Sequence, residues 1–379
     1  MDKGLPRAGK TTARFKSIDW LRGLSVLFMM ECHCLYFLSP TLERTQEWYQ
    51  LQNINGLVSV SFLFAAGFAL GLVGARAAGD PLTRARRSKR TLLRIAEVFA
   101  LALYINQVSH DVIANPIWLL RLDILSCIVA GLLVVWTVIT ACRGRNGIAL
   151  GVLAALWLSV MVGTFWASGF RGGGVFLGLI NNSSGAMFPL VPWTGYLLLG
   201  SVMGVLGAHP TRGRTRLVAG LAVMTTLTFA LAMTSADKWP WRPLAEMKLD
   251  AYLVSNACER LWKLGVICLT LTAIEKLTTL VTAAARALTP FSVVLEYFSG
   301  KALSAYFVHL TLLYGFLGIQ FTQVWHRKSS WPQYWWRLGV MYCLTILVCY
   351  GLHRARRGIE ALIRNARGIR AVSTAAGAA

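Results

Sequence analysis

The chain reads as an all-α, polytopic transmembrane helical bundle of about ten helices, and three observations support this. Of its 379 residues, 56% are hydrophobic and only 14% are charged, a balance more apolar and less charged than in an ordinary soluble domain. The apolar residues come in runs close to the roughly 20 residues that cross a hydrocarbon core. The basic residues fall in clumps between those runs, the pattern of loops held on the cytoplasmic side of a membrane.

Taken in order, the first span, 18–38, follows a basic tail with Lys3, Arg7, Lys10, Arg14 and Lys16. It carries Glu31 and His33 rather than a small-residue cleavage site, so it is expected to stay in the mature protein. Span two, 54–75, holds Gly67 and Gly71, a spacing that lets helices approach closely. Seven basic residues from Arg76 to Arg94 lead into span three, 92–113. Span four, 117–140, opens with Arg121 and Asp123, and span five, 147–166, is followed by the glycine-rich run 171–174. Span six, 187–208, repeats the small-residue spacing with Gly200 and Gly204. Span seven, 216–235, precedes the longest outer segment, 236–251. Spans eight to ten are 252–274, 302–321 and 337–353, and 277–298 fits an interfacial or re-entrant helix better than a loop.

The formal net charge of +22 would suggest nucleic-acid binding in a soluble protein. Here most Lys and Arg sit in the tail, at 76–94, 143–145, 212–216 and 276–301, and after His353. That distribution sets topology first, with both termini cytoplasmic and the bundle in the inner (plasma) membrane, and it argues against a nucleic-acid partner. The eight cysteines lack metal-ligand spacing and read as apolar packing residues, so no metal is expected. One membrane domain over 1–379, with basic tails at 1–16 and 354–379, is the economical organisation.

Ionisable groups at membrane depth need a partner, a wet cavity or a function. Glu31 and His33 lie roughly 20 Å along span one from Ile18, in the outer part of the membrane. Arg22 and His33 are eleven residues apart in the sequence, which brings them to nearly one face. Asp19 and Arg22 have the spacing of a local ion pair. Span three ends with Asn106, Gln107, His110 and Asp111, the last two reading as an interfacial cap. Arg121 and Asp123 suit either a buried ion pair or a substrate-facing pair. Span eight collects Asn256, Glu259, Arg260 and Lys263, dense enough to imply a wet cavity. His309 of span nine reads as hydrogen-bonded glue between helices.

Four segments carry a resemblance. RFKSIDWLRGLSVLFMMECH (14–33), NINGLVSVSFLFAAGFALGL (53–72), MFPLVPWTGYLLLGSVMG (187–204) and FSGKALSAYFVHL (298–310) are similar, in this order, to motifs of the heparan-α-glucosaminide N-acetyltransferase catalytic-domain family. SIDWLRG is the most specific of them. The lysosomal members have a further histidine between spans one and two. Segment 39–52 has none, so His33 takes its place here.

The resemblance implies a transferase that carries an acetyl group from cytosolic acetyl-CoA to an amine or hydroxyl of a sugar or glycoconjugate. Such chemistry needs a base, oxyanion donors and a cationic grip on phosphates. His33 is the expected base or transient acyl carrier, with Glu31 or Asp123 as its orienter. Asn106, Arg121, Asn256 and Glu259 are the expected acceptor or oxyanion contacts, and Arg22 and Arg94 the expected CoA-phosphate contacts, although Arg22 also suits the ion pair with Asp19. Membrane lipid and a glycan acceptor are the expected partners, with a homodimer among the open assemblies. A transporter or flippase of an anionic sugar or lipid is the competing class, and an inactive envelope-assembly subunit a third.

Overall fold

The computed structural model describes residues 14–43, 45–77, 81–109, 122–167, 179–180, 186–233, 248–315 and 324–376. Among them there is no strand, and every extended apolar run is helical. The expected first two spans are α1 (Lys16–Cys34) and α3 (Val58–Arg76), separated by two 3-10 turns (Leu35–Phe37 and Pro40–Leu42) and the short α2 (Gln46–Asn55). Thr45 caps α2, its hydroxyl accepting the Trp48 amide at 3.4 Å, a use typical of a threonine at this position. There follow α4 (Pro81–Ser109), α5 (Ile124–Ala141), α6 (Asn146–Ala167), α7 (Leu190–Gly207), α8 (Gly213–Met233), α9 (Lys248–Leu280), α10 (Thr282–Gly300), α11 (Ala302–Tyr314) and α12 (Trp331–Ala376).

Among the described residues, six segments are long and apolar enough to cross a membrane: Gln46–Arg76, Ile124–Ala141, Asn146–Thr164, Leu190–Gly207, Gly213–Met233 and Trp331–Ile359. The other four expected spans also fall on helices, but α1, α4 and α9 carry more ionisable residues and α11 has only 13 residues. Ten crossings are therefore more than length and hydropathy establish. The segment 277–298 covers the end of α9 and most of α10, in which Leu295 and Phe298 are buried and Phe291, Val293 and Val294 exposed. Exposed apolar rows on α6 (Ile148, Val152, Leu158, Val162) and α8 (Val223, Leu227, Leu231) are what lipid-facing helices present.

The tightest seam joins α3 to α7, and both expected small-residue pairs lie in it, facing one another. A methyl group added at Gly67 or Gly71 would overlap the α7 backbone at Leu197 or Ser201, and one at Gly200 or Gly204 would overlap the α3 backbone at Phe64 or Phe68. The helices therefore touch main chain to main chain, which only glycine permits. The same reason explains the glycine of the SIDWLRG run. A β-carbon at Gly23 would strike the Leu295 backbone, so α1 and α10 cross in direct contact there.

Segments expected on one side of the membrane converge at one end of the bundle. The Arg214 guanidinium donates to the Arg14 carbonyl at 3.2 Å and to Glu275 Oε1 at 2.7 Å. It also lies 5.4 Å from the centre of the Phe15 ring, over which Arg76 sits at 5.9 Å. Arg84 donates to the Arg143 carbonyl, and Asn146 to the Ala75 carbonyl at 3.1 Å. At the opposite end the chain after α1 pairs with the approach to α12, through Ser39 N to Ser329 O at 2.9 Å and Ser329 N to Phe37 O at 2.8 Å.

Candidate functional site

The candidate site is organised by α1, whose residues meet different neighbours at its two ends. Near its start, Glu275 is buried and accepts the Ser17 amide at 3.1 Å as well as the Arg214 guanidinium. A carboxylate on a first-turn amide satisfies an otherwise unpaired donor and opposes the positive end of the helix dipole. One turn on, Arg22 donates to Ser299 Oγ at 2.9 Å and to Asp19 Oδ1 at 3.3 Å. Asp19 also holds Arg14 at 2.5 Å. Trp20 reaches Ser292 Oγ at 3.1 Å, and Ser292 in turn donates to Glu296 at 2.9 Å. The ion pair expected between Asp19 and Arg22 is thus present as part of a network that ties α1 to α10. Arg94 of α4 lies close enough for its charge to act on Arg22, while its own guanidinium pairs with Glu97 at 2.9 Å.

Toward the other end of α1, His33 and His309 share a hydrogen bond, Nδ1 of His33 to Nε2 of His309, at 3.1 Å. Arg22 faces α10 and His33 faces α11, the next helix, so the face expected to be polar at both levels is the one turned toward 282–314. His309 Nδ1 lies 2.6 Å from the Ala305 carbonyl. A carbonyl only accepts, so Nδ1 of His309 carries the hydrogen. With both rings neutral, Nε2 of His309 must then accept, and His33 must donate from its Nδ1. The remaining nitrogen of His33, Nε2, keeps its lone pair. Tyr306, one turn before His309, stands edge-on to both rings, with centroids 6.5 Å from His33 and 5.7 Å from His309.

Glu31 is turned away from His33, as a two-residue separation on a helix requires. It is 3% exposed, and its Oε1 accepts the Tyr334 hydroxyl of α12 at 2.5 Å. The side chain of the buried Asn55 lies against this carboxylate and acts on it, although the second Glu31 oxygen and the Asn55 amide complete no ideal hydrogen bond among the described residues. Tyr342 donates to the Leu27 carbonyl at 2.9 Å, fixing the same side of α1 to α12. Buried polar atoms are nearly always satisfied, and here Glu31, Asn55 and Tyr334 form one buried polar cluster between α1, α2 and α12.

Asp123 is the N-cap of α5, accepting the Ser126 amide at 2.7 Å through Oδ1. Its Oδ2 is buried without a partner among the described residues, and its charge acts on Tyr306. Asp123 thus neighbours the histidine pair through Tyr306. Asn106 is buried on α4, whose Tyr104 packs on Phe307 and approaches Thr311 of α11 at 3.5 Å. The polar group of α9 is arranged differently. Glu259 pairs with Lys263 at 2.5 Å, Arg260 sits 5.2 Å over the Trp193 ring, and Asn256 is half-buried on the same helix. Arg121, His110 and Asp111 lie outside the described residues.

The sequence reading missed His309 as the partner of His33, Tyr334 as the partner of Glu31, and Asn55. The Tyr306 and His309 spacing in ALSAYFVHL signals that both share a helix face. Nothing in the sequence states which helix they meet.

No curated protein matches the chain. Residues 14–236 match the family described as Heparan-alpha-glucosaminide N-acetyltransferase, catalytic, and the helices that carry Asp19, Arg22, Glu31, His33 and the α3–α7 seam fall inside that range. The chain belongs to this family of membrane acetyltransferases.

Proposed function

We propose that the protein moves an acetyl group from cytosolic acetyl-CoA to an amine or hydroxyl of a sugar or glycoconjugate at or across the membrane, with His33 as the base. The hydrogen bond between His33 and His309 carries this reading, because it leaves Nε2 of His33 as the lone-pair nitrogen. A neutral imidazole with a ring lone pair left over suits general-base work. His33 Nε2 takes the proton from the acceptor as its nitrogen or oxygen attacks the thioester carbonyl. The new C–N or C–O bond forms, the C–S bond breaks, and the departing thiolate is protonated. In the two-step variant His33 is itself acylated first.

Arg22 and Arg94 bring two cations within electrostatic reach, which suits the phosphates of CoA. Arg22 lies roughly 16 Å below His33 along α1 at 1.5 Å per residue. Asp123, whose charge acts on Tyr306 beside the pair, is proposed as its orienter, and Asn106, buried on α4, as an acceptor or oxyanion contact. Arg121, Asn256 and Glu259 remain proposals for sugar contacts. We further propose ten crossings in one membrane domain, residence in the inner (plasma) membrane, and cytoplasmic termini. The clustering of the basic segments at one end of the bundle supports that topology.

The test is acetyl-CoA turnover and acetyl transfer to a panel of amino sugars by protein in nanodiscs, beside His33→Ala of equal thermal stability. Loss of turnover in the variant alone supports the assignment. An equally active variant removes His33 from the chemistry, and no turnover with any acceptor in either protein favours the transporter class.

A further inference from the structure

Between α3, α4, α5 and the turn into α6 lies a cavity of about 370 Å³. It sits at the end of the bundle where the basic segments gather, and no residue of α1, α9, α10 or α11 lines it. Four arginines, Arg84, Arg87, Arg143 and Arg145, border it, with no carboxylate among the described lining residues. Two of them are already fixed. Arg87 donates to the Val73 carbonyl at the end of α3, at 3.2 Å, and Arg84 to the Arg143 carbonyl. Arg143 has φ 45° beside Gly144 at φ 88°, a left-handed conformation that disfavours a residue with a β-carbon. The turn therefore holds arginine where glycine would be easier.

The rest of the lining is of the opposite character. Leu70, Val73, Ile139, Ala149 and Val205 supply apolar walls. Trp136 stands among them with its indole N–H donated to Ser88 Oγ at 2.9 Å. A cationic rim over an apolar floor, opening between helices of a membrane bundle, fits an amphipathic anion. We infer that this cavity holds the phosphate headgroup of an anionic phospholipid, with Arg143 and Arg145 at the phosphate and the start of an acyl chain along Val73 and Ile139. The phosphates of a CoA thioester share the headgroup chemistry. No residue of α1, which carries His33, lines the cavity, however. Ordinary loop charge explains basic residues near a membrane surface, but it does not explain a cavity with an apolar floor beneath them.

The inference is independent of the acetyl-transfer proposal. Its test is the lipid retained by protein purified from mixed phosphatidylglycerol and phosphatidylcholine bilayers, counted by native mass spectrometry. The wild-type chain is expected to keep phosphatidylglycerol preferentially. The double variant Arg143→Gln with Arg145→Gln is expected to lose it by roughly five-fold for each charge removed, while the corresponding lysine pair keeps most of it. Ala85→Trp, which fills the mouth at an exposed position without changing charge, is expected to lower retention as well. Arg216→Gln with Arg286→Gln removes two exposed arginines outside the cavity and is expected to leave retention unchanged. Equal losses from both glutamine pairs would reduce the effect to surface charge and overturn the inference. So would unchanged retention in the cavity variants. Displacement of phosphatidylglycerol by free CoA, abolished by the cavity variants, would instead give the site to the nucleotide.

Discussion

The two ends of α1 use the same kinds of side chain to different effect. At its start, Asp19, Arg22 and Glu275 each have named partners, and the carboxylates are shared between cations, an amide and a hydroxyl. At the other end, Glu31 is held by Tyr334 and lies against Asn55, and His33, bonded to His309, keeps a lone-pair nitrogen. Both ends are costly to bury. The first offsets that cost by pairing and so holds α1, α9 and α10 together. The second pairs its carboxylate and one face of its imidazole pair and leaves Nε2 of His33 without a bond among the described residues.

His33→Gln separates the two ends most sharply. Acetyl-CoA turnover is expected to fall by about 10²- to 10⁴-fold, the range for a general base, with the thermal midpoint unchanged. A fall in stability with retained turnover would make His33 structural. Gly23→Ala tests the paired end. Its β-carbon meets the Leu295 backbone, and overpacking against main chain is expected to cost about 1–3 kcal/mol, read as a lower midpoint in detergent with little change in turnover per folded molecule. Tyr334→Phe removes the hydroxyl that Glu31 accepts. Leaving a buried acceptor unsatisfied is expected to cost about 1–3 kcal/mol, and a stable variant would mean that Glu31 is better solvated than its burial implies.

Arg22→Lys is a smaller change, because the charge survives while the fork that reaches Ser299 and Asp19 together is lost. If Arg22 grips the donor, the KM for acetyl-CoA should rise several-fold with kcat nearly constant; an unchanged KM would leave it with the ion pair alone. Arg327→Ala, at the exposed pair with Glu43, is expected to shift stability by no more than about 0.2–1 kcal/mol, as a baseline for the others.

Legibility along the chain follows the range of the interaction. Apolar runs of bilayer length, the Gly67/Gly71 and Gly200/Gly204 spacings and the Asp19–Arg22 neighbours are local patterns, and helix geometry alone turns each into a structural expectation. The basic clumps marked one end of the bundle for the same reason, since they alternate with spans. The hydrogen-bond partner of His33 was not legible, because the sequence offered Glu31 or Asp123, and the chain places Glu31 on the opposite face, against Tyr334.

By itself, then, the sequence determined an apolar helical chain, its polar helix faces and, through its ordered motifs, its family. Only the tertiary structure decided that the two glycine pairs face each other, that Glu275 caps α1 from 258 residues away, and that His33 meets His309 across 276. Periodicity is a property of neighbours in the chain, whereas these pairings depend on how helices cross. That is set by which small residues allow backbones to touch, and a one-dimensional pattern does not encode it.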